Sequence, residues 1–259
     1  MPSAADYLPR LRERLLLDWD DPIFSGPLFV GERGEARKKL RDLMSPKSED
    51  AITWSVFRTF MRLPHREWTA ALFGRSTEGE VEMGFWINNA ALAIETPSLG
   101  AVVEGKYSGD VAGATVRQAD DIARCLDVTL ELAGPQREPF FVLVTDDYTH
   151  PQADALARWM GPAALPDEDP SSAAPYVPTL RYEILMPRYM NEPGFLASKL
   201  PHRSPEDVAR LEGRIGWLSW ADLIDGVLDR SAGFLPEQHR VLRRLVDWLR
   251  DRRLLHKGS

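Results

Sequence analysis

The chain has 259 residues, 44% of them hydrophobic and 27% charged, enough apolar material for one substantial core or a core with a small appendage, and it reads as a soluble globular protein. Its net charge of −7 excludes a general attraction to polyanions, so nucleic acid would have to be held by a local basic patch or through bound cations. One cysteine, Cys125, excludes an internal disulfide and any multi-cysteine zinc site, and His65, His150, His202, His239 and His256 stand apart with no HxH or HExxH spacing.

The opening MPSAADYLPRLRERLLLDWD carries only LLL between charges, too short for a signal-peptide core or a membrane span, so a cytoplasmic protein is expected. A helix is predicted near residues 4–18 and a charged one near 32–44, joined by the Pro- and Gly-punctuated DDPIFSGP. SEDAITWSVFRTFMRL forms the next helix, which Pro64 ends, and HREWTAALFG forms a short one that stops at Gly74.

The period then changes. VEMGFWI, AALAIET and GAVVEGKY are short β-prone runs separated by Asn-Asn and by PSLG, the pattern of an antiparallel meander. A helix over about 113–133 closes at Ala-Gly-Pro, and PFFVLVTDD at 139–147 has the continuous apolar run of a central strand. HPQADALARWM reads as a helix, LPDEDPSSAAPYVP at 165–178 as a loop or lid, and TLRYEILM as the last strand. Helices capped by Ser204 and Ser219 follow, and LPEQHRVLRRLVDWLRDRRLL makes an amphipathic final helix with a basic face. The order is that of an α/β single domain around a mixed sheet. No repeat, GxGxxG or GxxxxGK[ST] loop is present, which sets dinucleotide and P-loop chemistry aside.

AVVEGKYSGD carries the chemistry that matters most. Residues i and i+2 of a strand share a face, so Glu104 and Lys106 stand side by side with Gly105 between them. Such a pair is either a plain ion pair or the working pair of a metal-dependent phosphodiesterase. Glu49 lies on the helical stripe of Ile52, Thr53, Val56 and Phe60, as a helix-start acid favoured by the macrodipole or as a metal ligand, with Asp50 in reserve. Thr145, Asp146 and Asp147 end a strand where open sheets bind ligands, or simply turn. The tryptophans, Trp217 and Trp220 among them, read as packing residues. Arg243, Arg244, Arg250, Arg252 and Arg253 form the dense basic cluster, a solvated helix face or a phosphate contact.

Three stretches, SEDAITWSVFRTF, AVVEGKYSGD and VRQADDIARCLD, with the ending RIGWLSWADLIDGVLD, span roughly residues 45–230 and resemble the PD-(D/E)xK nuclease superfamily, in particular its bacterial members of uncertain role. The resemblance implies a restriction-endonuclease-like α/β fold, a mixed central sheet flanked by helices. Its core would cover about 45–190, with a helical extension over 1–44 and a helical C-terminal region over 200–256. It implies one or two Mg²⁺ (or Mn²⁺) ions held by Glu104, the Gly105 carbonyl, Glu49 and an acid of the preceding strands, with Lys106 orienting or deprotonating the attacking water. The physical logic is general: a divalent ion lowers the pKa of its water and neutralises phosphate oxygen, and hard oxygen ligands suit it. Gln118 resembles a glutamine of the family's post-ExK helix that positions substrate or the lysine; a solvent-facing glutamine is the alternative. The aspartate usually found across from ExK is absent here, since that position falls near Ala91 or Leu92. Glu82, Glu95 or a weaker Asn89 takes its part, or nothing does. The expected partner is nucleic acid, DNA first, with no membrane and with a homodimer as one arrangement. Two rivals stand beside this reading: a catalytically degenerate member serving as a binding or assembly module, and an unrelated α/β enzyme with a small-molecule substrate above Thr145–Asp147.

Overall fold

Local sequence sets the first described helix. Ser48 precedes two acids and an apolar stripe, and in the computed structural model its hydroxyl accepts the Ala51 N–H at 3.1 Å, starting α1 at Glu49–Phe60. Glu49 and Asp50 occupy the first turn, where the helix dipole favours negative charge. Pro64 separates α1 from α2 (His65–Phe73), and α2 stops at Gly74, whose φ of 71° is the left-handed cap conformation that glycine adopts without strain. Residues 15–16, 43, 48–85, 91–106, 117–146, 186–252 and 254–255 are the ones described, those at 117–121 through their backbone.

The chain continues as β1 (Glu82–Phe85), β2 (Leu92–Glu95), β3 (Leu99–Gly105), α3 (Arg117–Ala133) and β4 (Glu138–Thr145). After these come α4 (Pro193–Lys199), α5 (Pro205–Ala209), β5 (Ile215–Ser219), α6 (Trp220–Asp229) and α7 (Pro236–Asp251). The five strands lie in the order β1-β2-β3-β4-β5. β2 runs antiparallel to both neighbours, while β3, β4 and β5 are mutually parallel. Thus Gly105 pairs with Val144, and Thr145 with Ser219, so three strands end at one edge of the sheet.

Both faces of the sheet are covered. Leu92, Ile94, Ala101, Val103, Val142 and Val144 pack with Ile52, Val56 and Phe57 of α1, Leu223 and Ile224 of α6, and Leu245 of α7. Val102, Phe141 and Leu143 pack on the other side with Ile122, Cys125 and Leu126 of α3 and with Phe195 and Leu211. The architecture is α/β, a mixed five-stranded sheet between two helical layers. No helix among the described residues is long and apolar enough to cross a membrane.

One expectation changes. The last strand is β5, not residues 179–186; of those only Met186 is described, and it lies in a helical stretch described over 186–191. IGWLS is five residues long and runs straight into the Ser219 cap, so its strand character is hidden by the helix signal beside it. The helices predicted near 4–18 and 32–44, the 150–160 helix and the 165–178 loop lie outside the described residues, apart from Leu15, Leu16 and Leu43.

Candidate functional site

β3 is buried along its whole length, and its alternation decides what faces what. Ala101 and Val103 belong to the α1 layer and Val102 to the α3 layer. Carried onward, the same alternation turns Gly105 toward α1 and places Glu104 and Lys106 on the α3 side. Gly105 is there because of crowding. A Cβ on it would overlap Thr53 Oγ1 of α1 and come within 2.9 Å of Trp220 Cζ2 of α6. Glycine lets both helices press against the end of the strand.

That contact sets the position of Glu49. Thr53 is one helical turn further along α1, so seating Thr53 on Gly105 brings Glu49 above the strand end. The Lys106 ammonium then lies 3.5 Å from Glu49 Oε2 and 2.9 Å from Glu104 Oε1. Glu104 is buried, at 9% exposure, and its second oxygen accepts the Ala91 N–H at 3.2 Å. The Cys125 thiol of α3 faces that same oxygen at 4.0 Å. Two carboxylates from different elements therefore converge on one ammonium that is itself only 15% exposed. Attraction among these charges is stronger than it would be in water, because little solvent screens them. Counted formally, the trio sets two carboxylates against one ammonium.

Glu82 and Glu95 are not brought to this place. The ladder from β2 to β3 is unbroken, with Leu92 opposite Val103 and Glu95 opposite Gly100, and Glu82 lies opposite Glu95 on β1. Gly100 is four positions before Glu104, about 13 Å along the strand. No bulge shortens that distance, and Glu95 is engaged there by Arg137 at 2.6 Å. Across from Glu104 stands Ala91, which offers a backbone N–H and no carboxylate. Gly105 closes β3 in register with Val144. Asn89 lies outside the described residues, and so does the side chain of Gln118, whose backbone is in the first turn of α3.

The other candidates lie apart from the trio. Thr145 is the exception, standing on β4 one residue past the Gly105–Val144 pair and so beside Lys106; its hydroxyl accepts the Trp217 indole N–H at 2.9 Å, and Asp147 is outside the described residues. His202 pairs with Asp127 at 2.8 Å, and Arg203 joins the same carboxylate. Arg243, Arg244 and Arg250 are exposed on α7, Arg252 lies over the Trp248 ring, and Arg253 is not described. Among the described residues no group of three or more His, Cys, Asp or Glu side chains could hold a metal ion. The opposite edge of the sheet is the more arginine-rich. There Arg137 and Arg210 hydrogen-bond carbonyls at the end of α3, and Arg75 and Arg214 bind Glu138. The Arg75 hydrogen bond is the leading cause that holds the Glu138 carboxyl below its ordinary range.

Sequence reasoning missed Cys125 as a neighbour of Glu104. Ile122, Cys125, Leu126 and Thr129 form an i, i+3, i+4, i+7 stripe, so its facing the sheet was legible. Which strand residue it would meet depends on helix placement, which no spacing in the chain encodes. Compared with family models, with curated proteins and with solved structures, the chain finds no match in any of the three.

Proposed function

We propose that this protein is a divalent-metal-dependent phosphodiesterase acting on nucleic acid, with Glu104, Glu49 and Lys106 as its working residues. One observation carries the reading: a strand-end carboxylate and a helix-start carboxylate meet the same lysine, at the edge where β3, β4 and β5 all end. Open α/β sheets bind ligands beyond that edge of their parallel strands. The element order of helix, meander, ExK strand, helix and parallel strand is also the one the PD-(D/E)xK resemblance implies.

The donors suit a small hard cation. Glu104, Glu49 and the Gly105 carbonyl offer oxygen only, and Mg²⁺ or Mn²⁺ keeps several of its own waters, so a sparse protein shell suffices. An ion held there would supply a water of lowered pKa and charge neutralisation for a phosphate. This chain's residues do the rest. Lys106 presents a donor fixed between two carboxylates, Glu104 is held by the Ala91 N–H, and Glu49, with 34% of its side chain exposed, is the more solvent-accessible of the two carboxylates. With a net charge of −7, attraction for phosphate has to come from the ion and from local arginines.

A second reading, a degenerate member acting as a binding or assembly module, is favoured by the same Ala91 contact. A backbone N–H stands where a second strand carboxylate is expected, and both Glu104 oxygens already have donors. Calorimetry with Mn²⁺ separates the two. The phosphodiesterase reading expects binding that Glu104→Ala abolishes, and cleavage of DNA or RNA that Lys106→Ala abolishes. A folded protein that takes up no ion at millimolar Mn²⁺ supports the module.

A further inference from the structure

We propose that Trp220 is a positioning residue for Lys106, holding the lysine's main chain so that its ammonium meets both Glu104 and Glu49; the proposal rests on the reading of Glu104 and Lys106 as the working pair. Lys106 lies one residue beyond β3, where the ladder runs out. Its N–H still bonds the Val144 carbonyl at 2.7 Å, but its own carbonyl lies past the strand. The Trp220 indole Nε1–H donates to that carbonyl at 3.2 Å. That bond gives a donor to a backbone carbonyl that lies beyond the last described pair of the ladder.

Trp220 is well placed for this task. It is the first residue of α6, and the Ser219 hydroxyl caps the helix by accepting the Asp222 N–H at 3.0 Å. Ser219 is also the last residue of β5, in register with Thr145 of β4. The indole is therefore fixed by the sheet itself. Its ring touches the space a Gly105 Cβ would fill, with Thr53 on the same space from α1. The backbone of Gly105 and Lys106 is thus held at the Lys106 amide, at the Gly105 Cα and at the Lys106 carbonyl. A lysine side chain has four rotatable bonds, and fixing its root is what makes one ammonium position reproducible.

Packing alone would not require the N–H. Trp68 is equally buried, at 1% exposure against 0% for Trp220, and its indole Nε1 has no hydrogen-bond partner among the described residues. Trp68 shows what an indole that only fills space looks like in this protein, and Trp220 differs by that one bond.

The test is Trp220→Phe in the full chain, with Trp68→Phe as the control for loss of indole volume. Lys106 acylation at mildly alkaline pH is measured by peptide mass spectrometry relative to Lys199, which lies on α4. One neutral hydrogen bond corresponds to a change of about threefold to tenfold. Trp220→Phe is expected to raise the Lys106 to Lys199 ratio by that factor and Trp68→Phe to leave it unchanged. Cleavage kcat should fall by a similar factor, with KM and Mn²⁺ affinity unmoved. An unchanged ratio in folded Trp220→Phe, an equal rise in Trp68→Phe, or a raised ratio with unaltered kcat overturns the proposal. If Trp220→Phe does not fold, Ser219→Ala loosens the indole's anchor while keeping its N–H. The ratio must then rise, and a flat ratio refutes. Should the wild-type protein neither bind Mn²⁺ nor cut, the phosphodiesterase reading fails, while the acylation ratio still decides whether Trp220 positions Lys106.

Discussion

Replacing Gly105 with alanine adds one methyl group, and the sign of its effect is decided by two opposing magnitudes. Alanine restricts the unfolded chain, which in an open strand position would stabilise by about 0.4–1 kcal/mol. Here the new Cβ overlaps Thr53 Oγ1 and lies 2.9 Å from Trp220 Cζ2, and those residues are 1% and 0% exposed. Neither can swing into solvent, and Trp220 is tethered to the Lys106 carbonyl at 3.2 Å. Overpacking of this kind costs about 1–3 kcal/mol, and with rigid neighbours the upper half of that range applies. The net expectation is a loss of about 2 kcal/mol, or a fall in Tm of about 4–8 °C for a chain of this size. Urea unfolding followed by circular dichroism measures it. A double-mutant cycle with Thr53→Ala should return a coupling of about 1 kcal/mol, since removing the hydroxyl and methyl makes room for the new Cβ. Gly105→Ala as stable as the parent, or a coupling within the additive scatter, would refute the close approach of α1 and α6 to the strand end.

Other expectations follow from the same contacts. Lys106→Met leaves Glu104, at 9% exposure, without its counter-charge and should lower stability by about 2–4 kcal/mol in urea melts. A loss below about 0.5 kcal/mol would mean the pair is solvated. Thr53→Val removes a buried hydroxyl that has no hydrogen-bond partner among the described residues, so it should be neutral or stabilising by about 1 kcal/mol; a clear loss would show that the hydroxyl is engaged. Burial, then the like charges of Asp222 and Asp229, push the Asp225 carboxyl above its ordinary value of 3.8, and Arg250 pulls it back. A carboxyl raised in this way binds more protons folded than unfolded, so its contribution falls as pH rises through the folded value. Asp225→Asn should therefore raise Tm at neutral pH, with the gain fading as pH is lowered toward 3.8. Glu138 behaves oppositely: with its folded value lowered, first by the Arg75 hydrogen bond, it stabilises at neutral pH and loses that contribution as pH falls below the ordinary 4.5. Glu138→Gln should lower Tm at neutral pH and leave it unchanged in acid.

Much of the framework was legible because it is local. Ser204 and Ser219 each cap the helix the sequence assigned to them, and Ser48 caps α1 in the same way, since a cap needs only a hydroxyl three residues from an open N–H. Gly74 and Pro64 fix the ends of α1 and α2 in the same local way. The meander was readable from its spacing, and so was the pairing of Glu104 with Lys106. Position along a ladder was harder to read. The distance from Glu95 to Glu104 depends on how tightly Thr96–Ser98 turns, and the tight turn puts Glu95 opposite Gly100. β5 was lost because an edge strand of five residues shares its last residue with a helix cap. Cys125, Thr53 and Trp220 entered the site through packing between elements far apart in sequence, which periodicity orients without assigning partners.

The arrangement around Gly105 ties stability to function. Three elements reach the strand end: α1 through Thr53, α6 through Trp220 and β4 through Val144. Each contact serves the core, and each also fixes a charged group, because Glu49 rides on α1 and Lys106 follows Gly105 directly. A substitution that loosens this packing will therefore move the Glu49–Lys106 distance before it unfolds the sheet, whose central strands β3 and β4 are paired over seven positions. Loss of site geometry at nearly unchanged far-UV signal is the signature expected of such variants. A site built from solvent-exposed side chains on a loop would show the reverse, a melting temperature and a site geometry that vary independently.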